Sequence, residues 1–271
     1  MKRLPIAYQL YSAREDAQKD LDATLSRLSA LGYEGIEFAG FFDYDAKSIH
    51  KLLKKHKLKA VGSHVPVKAI EQDMEGVIAF HQEIGCKTIA VPYLEEQNRP
   101  GTLGFAPMLR LIYQFGRKCR KADIELLYHN HDFEFVELSG QPALDFLFTA
   151  IPESILKCEP DTCWIRYTGL DPAQYIRKYA GRCPLVHIKD FVGRRGENPP
   201  YALIGMEQST APVDQSQAFS FKPVGYGCQD VKAIVEAAKE IGAKWLVVEQ
   251  DQHPERPALE DAKLSIDTLL A

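Results

Sequence analysis

Short apolar runs alternate with amphipathic segments along the whole chain. The apolar runs are continuous rather than alternating, which is typical of strands that are covered on both faces. They predict eight strands: Ile6–Leu10, Gly35–Ala39, Ala60–His64, Lys87–Val91, Glu125–Asn130, Ile155–Asp161, Leu185–Asp190 and Trp245–Asp251. Helical segments separate these strands, and a last helix is predicted over Leu259–Leu270.

The segments between the strands have the period of helices that bury one face. One stripe consists of Leu21, Leu25, Leu28 and Leu31, and another of Val231, Ile234, Val235, Ala238 and Ile241. Three of these helices are followed by a glycine, which ends a helix at low cost in the left-handed conformation. We expect this conformation at Gly32, Gly85 and Gly242.

Eight alternating strand and helix units in about 250 residues predict an α/β fold, the (β/α)8 TIM barrel. We expect a single domain over residues 1–271. A doubly wound open sheet is the alternative, but it more often has a glycine-rich turn after its first strand, and the segment YSAREDA has no glycine. Residues 191–227 interrupt the rhythm and predict a long βα loop, either a lid over the site or a disordered insertion.

Composition and charge exclude several classes of protein. Thirty-three basic residues against 37 acidic ones give a net charge of −4, which argues against nucleic acid or an anionic membrane as partner. No apolar run approaches the ~20 residues of a membrane span, and the first residues do not have the pattern of a signal peptide. The six cysteines form no CxxC pair, so we expect reduced packing residues in a cytoplasmic protein. Whether the chain forms a homo-oligomer stays an open question.

Ionisable residues gather where the predicted strands end. In a barrel of this type the active site lies at the carboxyl ends of the strands. Six strands end in such residues: Glu37; His64; His129 and His131; Glu159 and Asp161; His187 and Asp190; Glu249 and Asp251.

One metal ion is expected among these residues. Charged side chains are rarely buried unless they are paired or bind a metal. Two imidazoles and two carboxylates from four successive strands suit Mn²⁺, Zn²⁺, Co²⁺ or Fe²⁺ better than Ca²⁺, and we favour Mn²⁺. The expected ligands are His129, Asp161, His187 and Glu249.

Several of the strand-end residues have a second interpretation. Asp161, Asp190 and Asp251 also suit the start of a helix, where a carboxylate caps the first backbone amides. His64 is equally well explained as a hydrogen-bonded core residue.

Four motifs, YHNHDFEF, EPDTCW, VHIKD and VVEQD, resemble the sugar phosphate isomerase/epimerase superfamily, the xylose-isomerase-like TIM barrels. The motifs follow the order of that family, and the resemblance covers essentially the whole chain. It implies a metal set of Glu, Asp, His and Glu on the last four strands, which falls on His129, Asp161, His187 and Glu249 in this sequence.

The chain departs from the family pattern at two positions. His129 stands where relatives have a glutamate, which in the ketose epimerases is one of two catalytic carboxylates. Its replacement argues against a symmetric two-carboxylate epimerisation. Trp164 stands where relatives often have a histidine, and it offers an aromatic face to a sugar ring instead.

The resemblance implies an enzyme that acts on a carbohydrate. A divalent ion acidifies the C–H next to a carbonyl, a base removes the proton, and an enediolate forms at the metal. We expect an isomerase or epimerase of a sugar, keto-sugar or polyol. A dehydratase that resembles inosose dehydratase is the alternative, and a non-catalytic sugar-binding barrel is a further one. A DNA-repair endonuclease is disfavoured, because the chain is acidic and offers too few metal ligands.

The expected roles follow from this chemistry. Glu249 would serve as a base as well as a metal ligand, and Glu134 or His131 would be the second proton carrier. For Glu134, an ordinary surface position is an equal interpretation. The expected substrate-binding residues are Glu37, His64, Trp164, Lys189 and Asp190.

Overall fold

The structure, a computed structural model, describes residues 3–194 and 218–271. Eight parallel strands form one sheet, and each predicted strand is found with its ends shifted by at most three residues. Their bounds are β1 Ile6–Gln9, β2 Gly35–Ala39, β3 Lys59–His64, β4 Thr88–Val91, β5 Glu125–His129, β6 Lys157–Glu159, β7 Leu185–Ile188 and β8 Trp245–Val248.

The sheet curls into a nearly closed barrel. Its strand order is β6-β5-β4-β3-β2-β1-β8-β7, so that β1 pairs with both β2 and β8. The seam between β6 and β7 is closed by a parallel bridge of Asp161 and His187, and the His187 amide donates to the Pro160 carbonyl at 3.0 Å. This arrangement confirms the predicted barrel and excludes the doubly wound open sheet.

Helices cover the outside of the barrel. Their bounds are α1 Arg14–Lys19, α2 Leu21–Leu31, α3 Ala46–His56, α4 Val67–Gln72, α5 Met74–Ile84, α6 Phe105–Lys121, α7 Ala143–Ala150, α8 Thr162–Tyr167, α9 Pro172–Arg177, α10 Val231–Glu240 and α11 Ala258–Leu270. Single 3-10 turns cover Leu10–Ala13, Glu96–Asn98 and Phe133–Phe135. Within residues 3–194 and 218–271, no helix has the length and apolar character needed to cross a membrane.

The helices bury the faces that the sequence indicates. Leu21, Leu25 and Leu28 are fully buried in the core, and α2 ends at Gly32 with a φ of 104°. Gly85 ends α5 in the same left-handed conformation. The six cysteines are free thiols as predicted, and five of them are buried.

The described part of the long loop after β7 contains a short ribbon. Asp190–Val192 pairs with Ser220–Lys222 in an antiparallel manner, which the sequence does not predict. A second small ribbon joins Glu137–Leu138 to Gln141–Pro142. Most of the predicted lid or insertion, residues 195–217, lies outside the described residues.

Residues that point into the barrel change from apolar to polar or ionisable along several strands. An apolar floor near the amino ends of the strands contains Ala7, Val61, Ala90, Leu127, Leu185 and Val247. Side chains alternate across a strand, so the residues two positions further along point inward too. For β1, β5 and β7 these residues are Gln9, His129 and His187, and just past the end of β8 the residue is Glu249; all of them are buried. The next inward positions place His131, Lys189 and Asp251 above them.

A bulge in β3 changes which of its side chains face the interior. Ile36 pairs with Ala60 and Glu37 pairs with Gly62, so that Val61 is the extra residue. Such an insertion re-aims the side chains that follow it. Val61 therefore lies in the apolar floor, and His64, three residues later, also points into the barrel.

Candidate metal centre

The structure brings the four predicted metal ligands together at the carboxyl ends of β5 to β8. His129, Asp161, His187 and Glu249 are all buried, and each offers a donor atom within 4.8 Å of the others. His187 Nδ1 is 2.9 Å from Glu249 Oε2, and His129 Nε2 is 3.6 Å from Asp161 Oδ2. Two imidazole nitrogens and two carboxylate oxygens are a donor set that suits a divalent transition metal.

Asp161 has both of the roles that the sequence suggests. Its Oδ1 caps α8 by accepting from the amides of Cys163 at 2.7 Å and Trp164 at 3.3 Å. Its Oδ2 is buried and accepts no hydrogen bond from the described residues. A buried carboxylate oxygen without a donor is costly, so this atom fits a cation ligand.

A second layer of ionisable side chains lies directly below the four ligands. Glu159 Oε2 is 2.8 Å from His64 Nε2, 3.3 Å from His129 Nδ1 and 3.5 Å from His187 Nε2. Glu37 Oε2 lies 2.7 Å from His187 Nε2 and accepts from the Gln9 amide at 2.9 Å. Glu37 and Glu159 are both completely buried.

The structure places Glu37 and His64 in this lower layer, and their contact with substrate stays a prediction. Glu159 was not assigned to the site, although the sequence holds a signal for it. It comes two residues before Asp161 in the motif EPD. Residues two apart on a strand share a face, so a metal ligand at Asp161 implies that Glu159 also points inward.

Lys189 joins three carboxylates above the ligands. Its Nζ is 2.8 Å from Asp251 Oδ1, 3.4 Å from Glu249 Oε2 and 3.5 Å from Asp161 Oδ2. Burial alone would lower the pKa of Lys189, but Asp251, Glu249 and Asp161 outweigh it and hold that pKa well above its usual value. Lys189 is therefore an ammonium ion, and it lies 5.2 Å from the centre of the Trp164 ring.

The two imidazoles of the predicted metal set differ in protonation. Burial would lower the pKa of His187, but the carboxylates of Glu37 and Glu159 outweigh it and raise that pKa well above its usual value. Burial and the neighbouring His187 and His64 lower the pKa of His129 well below its usual value. In the absence of a cation, the His187 ring is protonated and positively charged, whereas the His129 ring is neutral.

Two buried acids have raised pKa values. Burial and the neighbouring Glu37 raise the pKa of Glu159 to about 7. Burial raises the pKa of Asp251 to about 6 in spite of the contact with Lys189.

Aromatic rings border the site on one side. The His131 ring stacks on Trp164 with 5.4 Å between centroids and on Phe133 with 5.7 Å. Burial and the nearby Lys189 lower the pKa of His131 well below its usual value. Trp164 thus lies beside the site as the sequence suggests, but its side chain is fully buried in the described residues.

Glu134 lies behind the loop that follows β5. It is fully buried, so the surface interpretation is wrong. Its carboxylate accepts from the Tyr128 hydroxyl at 2.7 Å and from the His131 amide at 2.8 Å. Burial raises the pKa of Glu134 to about 8. These contacts hold the His131 loop in place and do not bring Glu134 into the metal cluster.

Asp190 fixes the loop after β7 instead of facing the cluster. Its carboxylate accepts from four backbone amides, at 2.8 to 3.1 Å: Phe191, Gly225, Gly227 and Gln229. None of these amides belongs to a helix, so the interpretation of Asp190 as a helix cap is wrong. The substrate contact stays a prediction, and the four amides leave the carboxylate little capacity for it.

Comparison with known proteins places the chain in a family. Residues 25–269 match the family model described as xylose isomerase-like TIM barrel. An inosose dehydratase of Geobacillus kaustophilus is 22% identical over 256 residues, which cover 86% of this chain and 80% of the relative.

Solved structures share the fold. A sugar phosphate isomerase/epimerase from Parabacteroides distasonis has a TM-score of 0.75 at 20% identity, covering 98% of this chain and 93% of that one. The IolI protein with a bound zinc atom has a TM-score of 0.71 at 15% identity, covering 98% and 97%. Because the family model spans most of the sequence, this chain belongs to the xylose isomerase-like TIM barrel family.

Proposed function

We propose that this protein is a divalent-metal-dependent dehydratase that removes water from a polyhydroxylated ketone, such as a keto-inositol or a keto-sugar. The isomerase or epimerase activity expected from the motifs becomes the competing function. The related protein from Geobacillus kaustophilus, named inosose dehydratase, supports a dehydratase over an isomerase or epimerase. The observation that carries the proposal is the pairing of a carboxylate with an ammonium group, Glu249 with Lys189, at the centre of the site.

The proposed ion is held by His129, Asp161, His187 and Glu249. When bound, it would supply Lewis acidity that makes the C–H next to a substrate carbonyl easier to deprotonate. Mn²⁺ stays the expected ion, and the bound zinc of the IolI protein supports Zn²⁺ as a second choice.

The chain offers one group for each proton transfer of an elimination. Burial would raise the pKa of Glu249, but Lys189 and His187 outweigh it and hold that pKa well below its usual value. Glu249 is therefore ionised and accepts the proton from the carbon next to the carbonyl. The C–O bond of the neighbouring carbon breaks, and the leaving hydroxyl takes a proton from Lys189 and departs as water.

The distance between the two groups also permits the site to reset. Glu249 Oε2 and Lys189 Nζ are 3.4 Å apart, so the proton that Glu249 removes returns to the Lys189 amine. The sum of these steps is loss of one water from the substrate, with both side chains restored. Epimerisation instead needs a second proton carrier on the opposite face of the carbon. The lone pair of His129 would be engaged by the proposed metal, and Glu134 lies outside the metal cluster.

Mass and proton exchange distinguish the candidate reactions. We would incubate the metal-loaded protein in D₂O with a panel of keto-inositols and keto-sugars, and follow the products by NMR and mass spectrometry. A dehydratase gives a product lighter by one water. An isomerase or epimerase gives an isomer that carries deuterium at the exchanged carbon and has lost no water, and this result would reverse the proposal. A sugar-binding barrel gives neither product.

Glu249→Gln tests the base and the metal ligand together, so its Zn²⁺ affinity is measured alongside turnover. The amide has nearly the same shape but cannot accept the proton, so we expect turnover to fall below detection. If this variant retains turnover, Glu249 is not part of the mechanism.

A further inference from the structure

Both imidazoles of the proposed metal set face a carboxylate with each of their ring nitrogens. His187 Nδ1 lies 2.9 Å from Glu249 and its Nε2 lies 2.7 Å from Glu37. For His129, Nε2 lies 3.6 Å from Asp161 and Nδ1 lies 3.3 Å from Glu159. The two rings thus separate an upper pair of carboxylates, Asp161 and Glu249, from a lower pair, Glu37 and Glu159.

This geometry links the binding of a cation at one nitrogen of each ring to the presence of a hydrogen on the other nitrogen. A neutral imidazole has one nitrogen with a lone pair and one with a hydrogen. A cation that binds one nitrogen of His129 or His187 therefore leaves the other nitrogen as a donor. The donors of His64, His129, Glu159 and His187 also lie within 4.8 Å of one another. Because the two donor sets share both rings, a cation in the lower set competes with one in the upper set.

Burial and existing contacts favour the upper pair for the cation. Glu37 is enclosed, since it accepts from Gln9 and a Cβ added at Gly62 would collide with its Oε1. Glu159 is held by His64 at 2.8 Å. Glu249 lies just beyond the end of β8 and retains 5% exposure, whereas Glu37 and Glu159 are completely buried.

We propose that Glu37 and Glu159 are positioning residues that hold His187 and His129 in the tautomers required for metal binding. Glu37 accepts the Nε2 hydrogen of His187, which leaves the Nδ1 lone pair beside Glu249. Glu159 Oε2 lies 3.3 Å from His129 Nδ1, and with a metal at His129 Nε2 beside Asp161 it would accept the Nδ1 hydrogen. A carboxylate behind a metal-bound histidine fixes the orientation of the ring and raises its basicity. This inference rests on the metal site of the proposed function and is independent of the reaction.

Zinc affinity and histidine tautomers test the inference together. We would measure the Zn²⁺ dissociation constant by chelator competition for the wild type, Glu37→Gln and Glu159→Gln. Each variant should bind Zn²⁺ about 10- to 100-fold more weakly, which is the usual effect of losing such a partner. Asp145→Asn is the matched control. Asp145 lies on α7 outside the barrel, where it accepts from the Tyr175 hydroxyl at 2.7 Å, and its loss should leave the affinity unchanged.

The tautomers are read from ¹⁵N-histidine NMR of the zinc-loaded wild type, so this readout does not depend on the folding of any variant. We expect the hydrogen at Nε2 of His187 and at Nδ1 of His129. The inference would be overturned if the hydrogens lie on the opposite nitrogens and the variant His64→Gln no longer binds zinc. These two results together would place the cation in the lower set.

The remaining outcomes separate this inference from the proposed function. Unchanged zinc affinity in both glutamine variants would overturn the positioning role and leave the metal site intact. A wild-type protein that binds no divalent ion would overturn both.

Discussion

Lys189 is the residue whose removal should affect the site most. Its side chain is 1% exposed and lies within 3.5 Å of an oxygen of Asp161, Glu249 and Asp251. Lys189→Met leaves these carboxylates without their ammonium partner. We expect the free energy of unfolding to fall by about 3–5 kcal/mol, since breaking a buried ion pair strands an unpaired charge. Turnover should fall at least ~100-fold, because the leaving hydroxyl loses its acid.

Lys189→Arg serves as the control for charge. Arginine retains the positive charge but does not release its proton, so it should restore much of the stability and little of the turnover. Urea unfolding and the water-loss assay measure the two effects separately. Turnover near the wild-type level in the arginine variant would show that Lys189 acts by charge alone.

Glu134 makes stability depend on pH. Burial raises its pKa from 4.5 to about 8, so the folded state binds a proton that the unfolded state has released between these two values. The free energy of unfolding therefore decreases as the pH rises through this window. The loss between pH 6 and pH 9 from this group is up to about 3 kcal/mol.

Glu134→Gln should remove this dependence. Tyr128 donates to Glu134 in the structure, but with that hydroxyl turned to accept, the new NH₂ group can donate to it while the amide oxygen accepts from the His131 amide. Relative to the wild type, the variant should gain stability between pH 6 and pH 9, measured by urea unfolding at both values. Parallel pH profiles of the two proteins would contradict the assignment. If Glu134→Gln turns over as fast as the wild type at pH 6, Glu134 is not a proton carrier.

Among the structural elements, the loop after β7 depends on a glycine. A Cβ at Gly227 would collide with the Asp190 carboxylate and with the Phe191 carbonyl, and Asp190 is held by four backbone amides. Gly227→Ala must therefore displace the carboxylate or the backbone. We expect it to destabilise the protein by about 2–4 kcal/mol and to speed amide exchange around residues 225–229.

Gly181→Ala is the matched control for this prediction. Gly181 has a φ of 82°, and a Cβ there would meet nothing within 4 Å. Its substitution should cost only the conformational penalty of a left-handed residue, about 1 kcal/mol. Equal effects of the two substitutions on stability and exchange would argue against the role of the Asp190 carboxylate.

The elements and four of the site positions could be predicted from the sequence, because continuous apolar runs that end in His, Asp or Glu are local signals. The lower layer depends on features that are not local. His64 points inward only because Val61 forms a bulge, and no pattern in the sequence announces that extra residue. The burial of Glu134 depends on its contact with Tyr128. The position of the Asp190 carboxylate depends on backbone amides about 35 residues further along the sequence.

At the scale of the whole molecule, two of the proposed metal ligands lie at the seam of the barrel. The strands β6 and β7 meet through the bridge of Asp161 and His187, and both of these residues belong to the proposed ligand set. A cation held by them would link the two edges of the sheet. Binding should therefore stabilise the entire fold, by an amount that grows with the ratio of free ion to its dissociation constant.

This stabilisation should increase with pH. In the metal-free protein the pKa of His187 is held well above its usual value, so the ring is protonated at neutral pH and stabilises the fold through Glu37 and Glu249. A metal ion at Nδ1 must displace that proton, so its apparent affinity should rise up to about tenfold per pH unit. At a fixed concentration of Zn²⁺, the gain in unfolding midpoint over chelator-treated protein should be larger at pH 8 than at pH 6. An equal gain at both pH values would mean that the ion binds without displacing this proton, and therefore away from His187.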